Sequence, residues 1–265
     1  MVYRHEVYVC ERCESAVGVV RGGEGALHCC GKPMQLLEQS PHLEVPSPED
    51  LTAPPHMEYN LDMSIKEAMV HMQRRIANST TYFGVSALKC PLDFWVYCEI
   101  IHEVRPDVVI EVGNGFGGGA LALAHYLDNL GHGRVIGIDF HHEYCPEVVR
   151  NHPRITFVDG HACEDFAKVR TLLEPDEKVL VIEDSEHSYR NTLDVLRLYA
   201  PLVPVGGYVI VEDSNCHHGI DHGPNPGPYE AVESFVQEHP EFEVDRARES
   251  FVITWNPKGY LKRVR

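Results

Sequence analysis

Positive charge is scarce in this chain: 23 Lys and Arg stand against 40 Asp and Glu in 265 residues, a formal net charge of −17. Such a surface repels phosphate backbones and anionic lipid, so nucleic acid and membranes are poor partners. No apolar run approaches the roughly 20 residues of a membrane span, and the start, Met1-Val2-Tyr3-Arg4-His5-Glu6, lacks the apolar core of a secretory leader. A cytoplasmic protein acting on a small molecule is expected, assembled as a homo-oligomer. A disulfide framework is missing too. Four of the nine cysteines lie before residue 31, while Cys90, Cys98, Cys145, Cys163 and Cys216 are scattered. The clustered four have the look of metal ligands. A chain of this length can bury one sizeable core and still carry a small appendage.

Proline and glycine mark the division. Residues 1–37 read as a small β-type module whose Gly22, Gly23 and Gly25 supply a turn. Residues 38–57 carry Pro41, Pro46, Pro48, Pro54 and Pro55, which bars helix and central strand and leaves a semi-extended linker. Residues 58–265 form the main domain. Ser64 and Glu67 make a capping-box pattern ahead of Ile65, Met69, Met72 and Ile76, spaced along one helical face, and the methionines suit core packing. From about residue 92, helical stretches alternate with apolar strands, which predicts an α/β, doubly wound, Rossmann-like parallel sheet. Two last strands, Phe242 to Asp245 and Phe251 to Trp255, are expected to add an antiparallel hairpin at its edge.

Three acids end two of these apolar runs: Asp184 in VLVIEDSEHSY, and Glu212 with Asp213 in GGYVIVEDSN. Ligands of an open α/β sheet bind at the carboxyl ends of its strands, so these carboxylates outline a hard oxygen site for Mg²⁺ or a similar divalent cation. Strand ends that merely meet solvent are the plain alternative. After the run Val108 to Val112 comes a glycine-rich turn, Glu111 to Gly119, in which Gly113-x-Gly115-x-x-Gly118 fits a dinucleotide fingerprint and Asp139 follows at a distance suited to ribose hydroxyls. Glu111 separates the two cofactor readings. A carboxylate there repels a pyrophosphate yet can order the amino-acid part of S-adenosylmethionine, which favours the methyl donor. The expected cofactor site comprises Glu111, Gly113, Gly115, Gly117, Asp139 and Asp184, with Gly160, His161 and Ala162 bordering the adenine. On the Gly/Pro-rich loop from Cys216 to Pro224, His217, His218 and His222 are expected to meet substrate; a facial Fe(II) triad is the weaker reading of that segment.

Cys10-x-x-Cys13 and the adjacent pair Cys29-Cys30 supply four thiolates within a fragment too small for its own apolar core. The following Gly31-x-Pro33-Met34 completes a likeness: the segment resembles the desulforedoxin module found at the N-terminus of desulfoferrodoxins. That resemblance implies an Fe(S-Cys)₄ centre on Cys10, Cys13, Cys29 and Cys30, with a structural Zn²⁺ clip as the alternative. No open coordination position is left for a substrate on either metal.

Over about residues 80–265, the stretch YFGVSALKCPLDFWVYCEIIHEVRPDVVIEVGNGFGGGALALA, then IEDSEHSY, GGYVIVEDSN, GPYEAVESFV and TWNPKGYLKR, resembles the cephalosporin hydroxylase/rhamnosyl O-methyltransferase family. The resemblance implies a class I S-adenosylmethionine methyltransferase fold and a divalent metal on Asp184, Glu212 and Asp213, with Glu111, Gly113 and Asp139 at cofactor positions. Gly119 departs from the pattern, since relatives usually carry Ser there and its hydroxyl is missing here. Catechol-type methyltransferases place a lysine base three residues after the equivalent acid, which makes His187 the candidate base. The expected activity is metal-dependent O-methylation of a sugar or specialised-metabolite hydroxyl. An iron oxygenase, and a redox-sensing or oligomerising scaffold, are the alternatives from other classes.

Overall fold

Short β-forming stretches build the first of two units, Met1–Leu61. The computed structural model describes residues 7–9, 16–18, 26–38 and 56–265. In the first unit Val7–Val9 pairs antiparallel with both Ala16–Gly18 and Gln35–Glu38, and His28–Cys29 pairs with Lys32–Pro33. Cys10, Cys13 and most of the proline-rich segment lie outside the described residues.

The second unit, Asp62–Arg265, is built on five parallel strands: β1 (Val108–Val112), β2 (Arg134–Asp139), β3 (Ile155–Asp159), β4 (Val179–Glu183) and β5 (Tyr208–Val211). Two further strands, β6 (Phe242–Val244) and β7 (Tyr260–Arg263), extend it in the order β3-β2-β1-β4-β5-β7-β6, with β7 antiparallel to both neighbours. All five residues of β1 and of β4 are buried. Continuous apolar strands of this kind belong to a sheet covered on both faces. Strand order reverses between β1 and β4, so a crevice opens at their carboxyl ends.

Strand alternation sorts the side chains. Val108, Ile110 and Val112 pack with Leu193, Tyr199 and Phe235 of α6 (Tyr189–Tyr199) and α7 (Pro228–Glu238). Val109 packs the other way, onto Val96 and Ile100 of α2 (Pro91–Val104) and Leu123 and Leu127 of α3 (Gly118–Leu130). Burying each such side chain contributes about 1.5–3 kcal/mol. By the same period of two, Glu111 and Glu212 fall on the α2/α3 face, where Val109, Tyr208 and Ile210 pack. Helix α1 (Ile65–Ser79) starts with the expected capping box, and its Met69 and Ile76 pack on Ile220 and Trp255.

The terminal antiparallel pair forms, but its second strand is Tyr260–Arg263 and not Phe251 to Trp255. The earlier segment spends its polar groups on α2: Asp93 accepts from the Thr254 hydroxyl (2.5 Å) and the Trp255 N–H (2.8 Å), and Asn256 donates to Tyr97 (2.8 Å). Main-chain and side-chain donors committed to a helix cannot also serve a ladder.

Candidate active site

The crevice at the β1/β4 switch is a cavity of about 450 Å³. Its floor is the glycine turn. Gly113 has φ +86°, and a Cβ there would stand 2.1 Å from the Asp184 carbonyl oxygen, so the approach of the turn to the next strand end demands glycine. Asp139, at the end of β2, accepts from the main-chain N–H groups of Asn114 (2.7 Å) and Gly115 (2.9 Å), fixing the turn against the start of α3. Gly113, Gly115, Asp139, Gly160, His161, Ala162 and Asp184 all line the cavity, together with His187 and Asp213. This glycine turn, with Asp139 at the end of the next strand, fits the amino-acid and ribose parts of S-adenosylmethionine. Three expected members stand elsewhere. Gly117 faces Val149 and Cys145, where a Cβ would come within 2.9 and 3.0 Å, so its part is in packing the turn. Glu111 and Glu212 lie behind the wall.

Asp184, His187 and Asp213 bring one ligand atom each within 4.8 Å of one another. His187 Nε2 is 3.4 Å from Asp213 Oδ2 and 3.9 Å from Asp184 Oδ1. Both His187 (φ +62°) and Asp213 (φ +54°) are in the left-handed region, a conformation that costs a non-glycine residue energy and clusters at functional sites. Burial pushes the Asp213 carboxyl up, and the charge of Asp184 adds to the rise against the opposing pull of His187. Burial pulls the His187 imidazolium down, but Asp213, Asp184 and Glu183 outweigh it and hold its pKa above the ordinary value. Clustered carboxylates of this kind could hold a divalent cation, whose charge would relieve their mutual repulsion, with the His187 imidazole beside them.

Sequence reasoning missed Lys89. The ammonium lies between Asp184 Oδ2, in direct contact, and Glu212 Oε1 at 2.6 Å, with Glu111 Oε1 at 3.5 Å. Burial alone would depress its pKa; the three acids more than reverse this and hold it well above the usual lysine value. Glu212 therefore meets Asp184 through the lysine, and its own carboxyl is pushed well up by burial and by Asp184. Behind it a buried relay continues. Glu111 Oε2 accepts from Asn114 Nδ2 (2.7 Å), and Asn114 Oδ1 lies 2.9 Å from His142 Nε2. The one signal in the sequence was a lysine directly before Cys90-Pro91, the start of α2.

The loop histidines do not line the cavity. His217 Nε2 is 3.0 Å from the Gly223 carbonyl oxygen, and His218 is bound to Glu230 at 2.6 Å and stacked on Tyr229. Asp221 pairs with Lys66. These partners hold the loop to α7 and α1, so no iron triad is assembled there among the described residues. In the first unit, Cys29 Sγ and Cys30 Sγ lie 3.9 Å apart. An edge of about 3.8 Å is what a tetrahedral site with metal–sulfur bonds of about 2.3 Å requires, so this pair fits a thiolate-bound metal.

Comparison with known proteins gives matches to two families. The family Rhamnosyl O-methyltransferase/CmcI matches residues 74–264, and the desulfoferrodoxin N-terminal domain matches residues 3–37. The rhamnosyl O-methyltransferase of Mycobacterium tuberculosis H37Rv is 35% identical over 193 residues, 69% of this chain and 78% of that protein. Its counterpart from Mycobacterium leprae is 35% identical over 195 residues, covering 70% and 84%. A desulfoferrodoxin from Syntrophotalea carbinolica is 52% identical over 40 residues, 15% of this chain and 32% of that protein. A solved CmcI structure with Mg and SAM superposes with a TM-score of 0.58 at 23% identity over 70% of this chain and 77% of that one, a likeness of fold. The chain is thus an O-methyltransferase in class, with a Rossmann-like sheet extended by antiparallel strands. It belongs to the Rhamnosyl O-methyltransferase/CmcI family. Among the described residues no helix is long and apolar enough to cross a membrane.

Proposed function

We propose that this protein methylates a hydroxyl of a sugar or specialised metabolite in a reaction that depends on a divalent metal, Mg²⁺ being the first candidate. The observation that carries the reading is the convergence of Asp184, His187 and Asp213 at the wall of the glycine-turn cavity. The rhamnosyl activity named for the mycobacterial relatives makes a deoxysugar hydroxyl the first acceptor to try. The turn from Gly113 and Asp139 would hold S-adenosylmethionine, which would supply an electrophilic methyl group. Asp184 and Asp213, with Glu212 as a third acid, would hold a divalent cation, whose charge would lower the pKa of an acceptor hydroxyl. His187 Nε2 faces both aspartates and is placed to take the hydroxyl proton. The left-handed turn at His187 aims the ring back over the strand ends, and Asp184, three residues earlier, stays within reach of the same acceptor. The Cys₄ module, holding iron or zinc, stands apart from this chemistry because four thiolates leave no position for a substrate.

Anaerobic incubation of the purified protein with S-adenosylmethionine and a panel of rhamnosides and hydroxylated metabolites tests the reading. The expected product gains one methyl group without oxygen, and chelation followed by Mg²⁺ abolishes and then restores turnover. Transfer that persists after complete chelation refutes the metal requirement, and a product formed only with oxygen refutes methylation.

A further inference from the structure

Among the described residues Lys89 is the only lysine or arginine on the cavity wall, whose acids are Asp139, Asp184, Glu186 and Asp213. S-adenosylmethionine brings a sulfonium, an ammonium and a carboxylate into that cavity. The acids suit the two cations and repel the carboxylate, which needs a cation of its own. Lys89 stands beside the first turn of α3, where the glycine cradle ends: a Cβ on Gly119 would lie 3.0 Å from Lys89 Cε and 2.4 Å from Glu111 Oε1. Glycine at 119 leaves that space to the lysine stem. All three donors of the ammonium now face acids, namely Asp184, Glu212 and Glu111. Two of these are acids proposed for the metal, and a divalent cation there competes with the ammonium for the same oxygens.

We propose that Lys89 is the residue that binds the cofactor's methionine carboxylate, and that it exchanges between two sets of partners: Asp184 and Glu212 in the empty site, the carboxylate once a metal claims those acids. This rests on the cofactor and metal reading above. One lysine then serves both ligands, so metal and cofactor bind cooperatively, and by linkage each strengthens the other by the same factor. An empty site is kept neutralised by its own lysine, and loading is concerted.

Calorimetry with S-adenosylhomocysteine and its decarboxylated counterpart, each with and without Mg²⁺, tests the exchange without turnover. In the wild-type protein Mg²⁺ should tighten S-adenosylhomocysteine about tenfold or more, the loss of one competing charge pair, and leave the decarboxylated ligand within about twofold. Lys89→Met should weaken S-adenosylhomocysteine about 10- to 100-fold and close the gap between the two ligands. Equal tightening of both ligands by Mg²⁺, or equal weakening of both by Lys89→Met, overturns the proposal and returns the carboxylate to the turn amides. Should the variant fail to fold, the Mg²⁺ comparison on the wild-type protein decides by itself. If neither ligand binds, the cofactor reading falls and this proposal with it; if both bind alike, only this proposal falls.

Discussion

Asp93 is a buried carboxylate outside the cavity, and its removal should be felt throughout the second unit. It accepts from Thr254 Oγ1 at 2.5 Å, Tyr260 Oη at 2.8 Å and the Trp255 main-chain N–H at 2.8 Å, joining the first turn of α2 to the segment that leads into β7. Asp93→Ala leaves three buried donors without an acceptor, each worth about 1–3 kcal/mol. Part of that is returned, because burial opposes the charge on Asp93 and raises its pKa against the three hydrogen bonds. The net expectation is a loss of about 3–5 kcal/mol, in line with breaking other buried charged networks. For a unit of this size that corresponds to a fall of about 10–15 °C in Tm. Both tryptophans, Trp95 and Trp255, lie in the unit Asp62–Arg265, so thermal unfolding followed by their fluorescence reads this unit alone. Asp93→Asn, which keeps the volume and one acceptor oxygen, should fall between wild type and Asp93→Ala. A shift below about 2 °C for Asp93→Ala would show that these donors find other partners and that the network is not what holds 254–256 to α2.

Replacing His187 by alanine should lower kcat by about 10² to 10⁴ while S-adenosylhomocysteine affinity stays nearly unchanged, and full activity at neutral pH would remove it as the base. Arg134 holds Glu177 through a two-pronged pair, one contact at 2.9 Å, and that hydrogen bonding lowers the Glu177 pKa. A lowered carboxyl stabilises the fold above its unfolded pKa and loses that contribution as pH falls through the folded value, so Glu177→Gln should cost about 1 kcal/mol near pH 7 and progressively less below about pH 4 in urea titrations. Cys29→Ser should abolish stoichiometric iron or zinc, measured by metal analysis, and leave methyl transfer within about twofold; loss of both together would tie the module to catalysis.

The parallel sheet was legible in the sequence because its strands are buried on both faces and so appear as unbroken apolar runs; Val108–Val112 has the bounds its residues predicted. The convergence of Asp184, Asp213 and His187 was also legible, since acids that end apolar strands and a histidine one loop step beyond arrive at the same edge. The antiparallel partner of β6 was misplaced because Phe251 to Trp255 has strand-like composition, and only contact with Asp93 shows where its polar groups go. The loop histidines were expected to meet substrate, yet none lines the cavity, and the rings of His217 and His218 are engaged by Gly223, Glu230 and Tyr229. Lys89 could be found only in three dimensions. Its partners Asp184 and Glu212 lie 95 and 123 residues away in the chain, and what joins them is the pleat of β1 and β5, which turns Glu111 and Glu212 toward α2 while Asp184 and Asp213 leave the strand ends for the cavity. Sequence sets which charges a strand end carries; the side of the sheet on which each is spent, and so which acids the lysine holds, is decided by tertiary packing, because a buried charge must take whatever partner the fold brings to it.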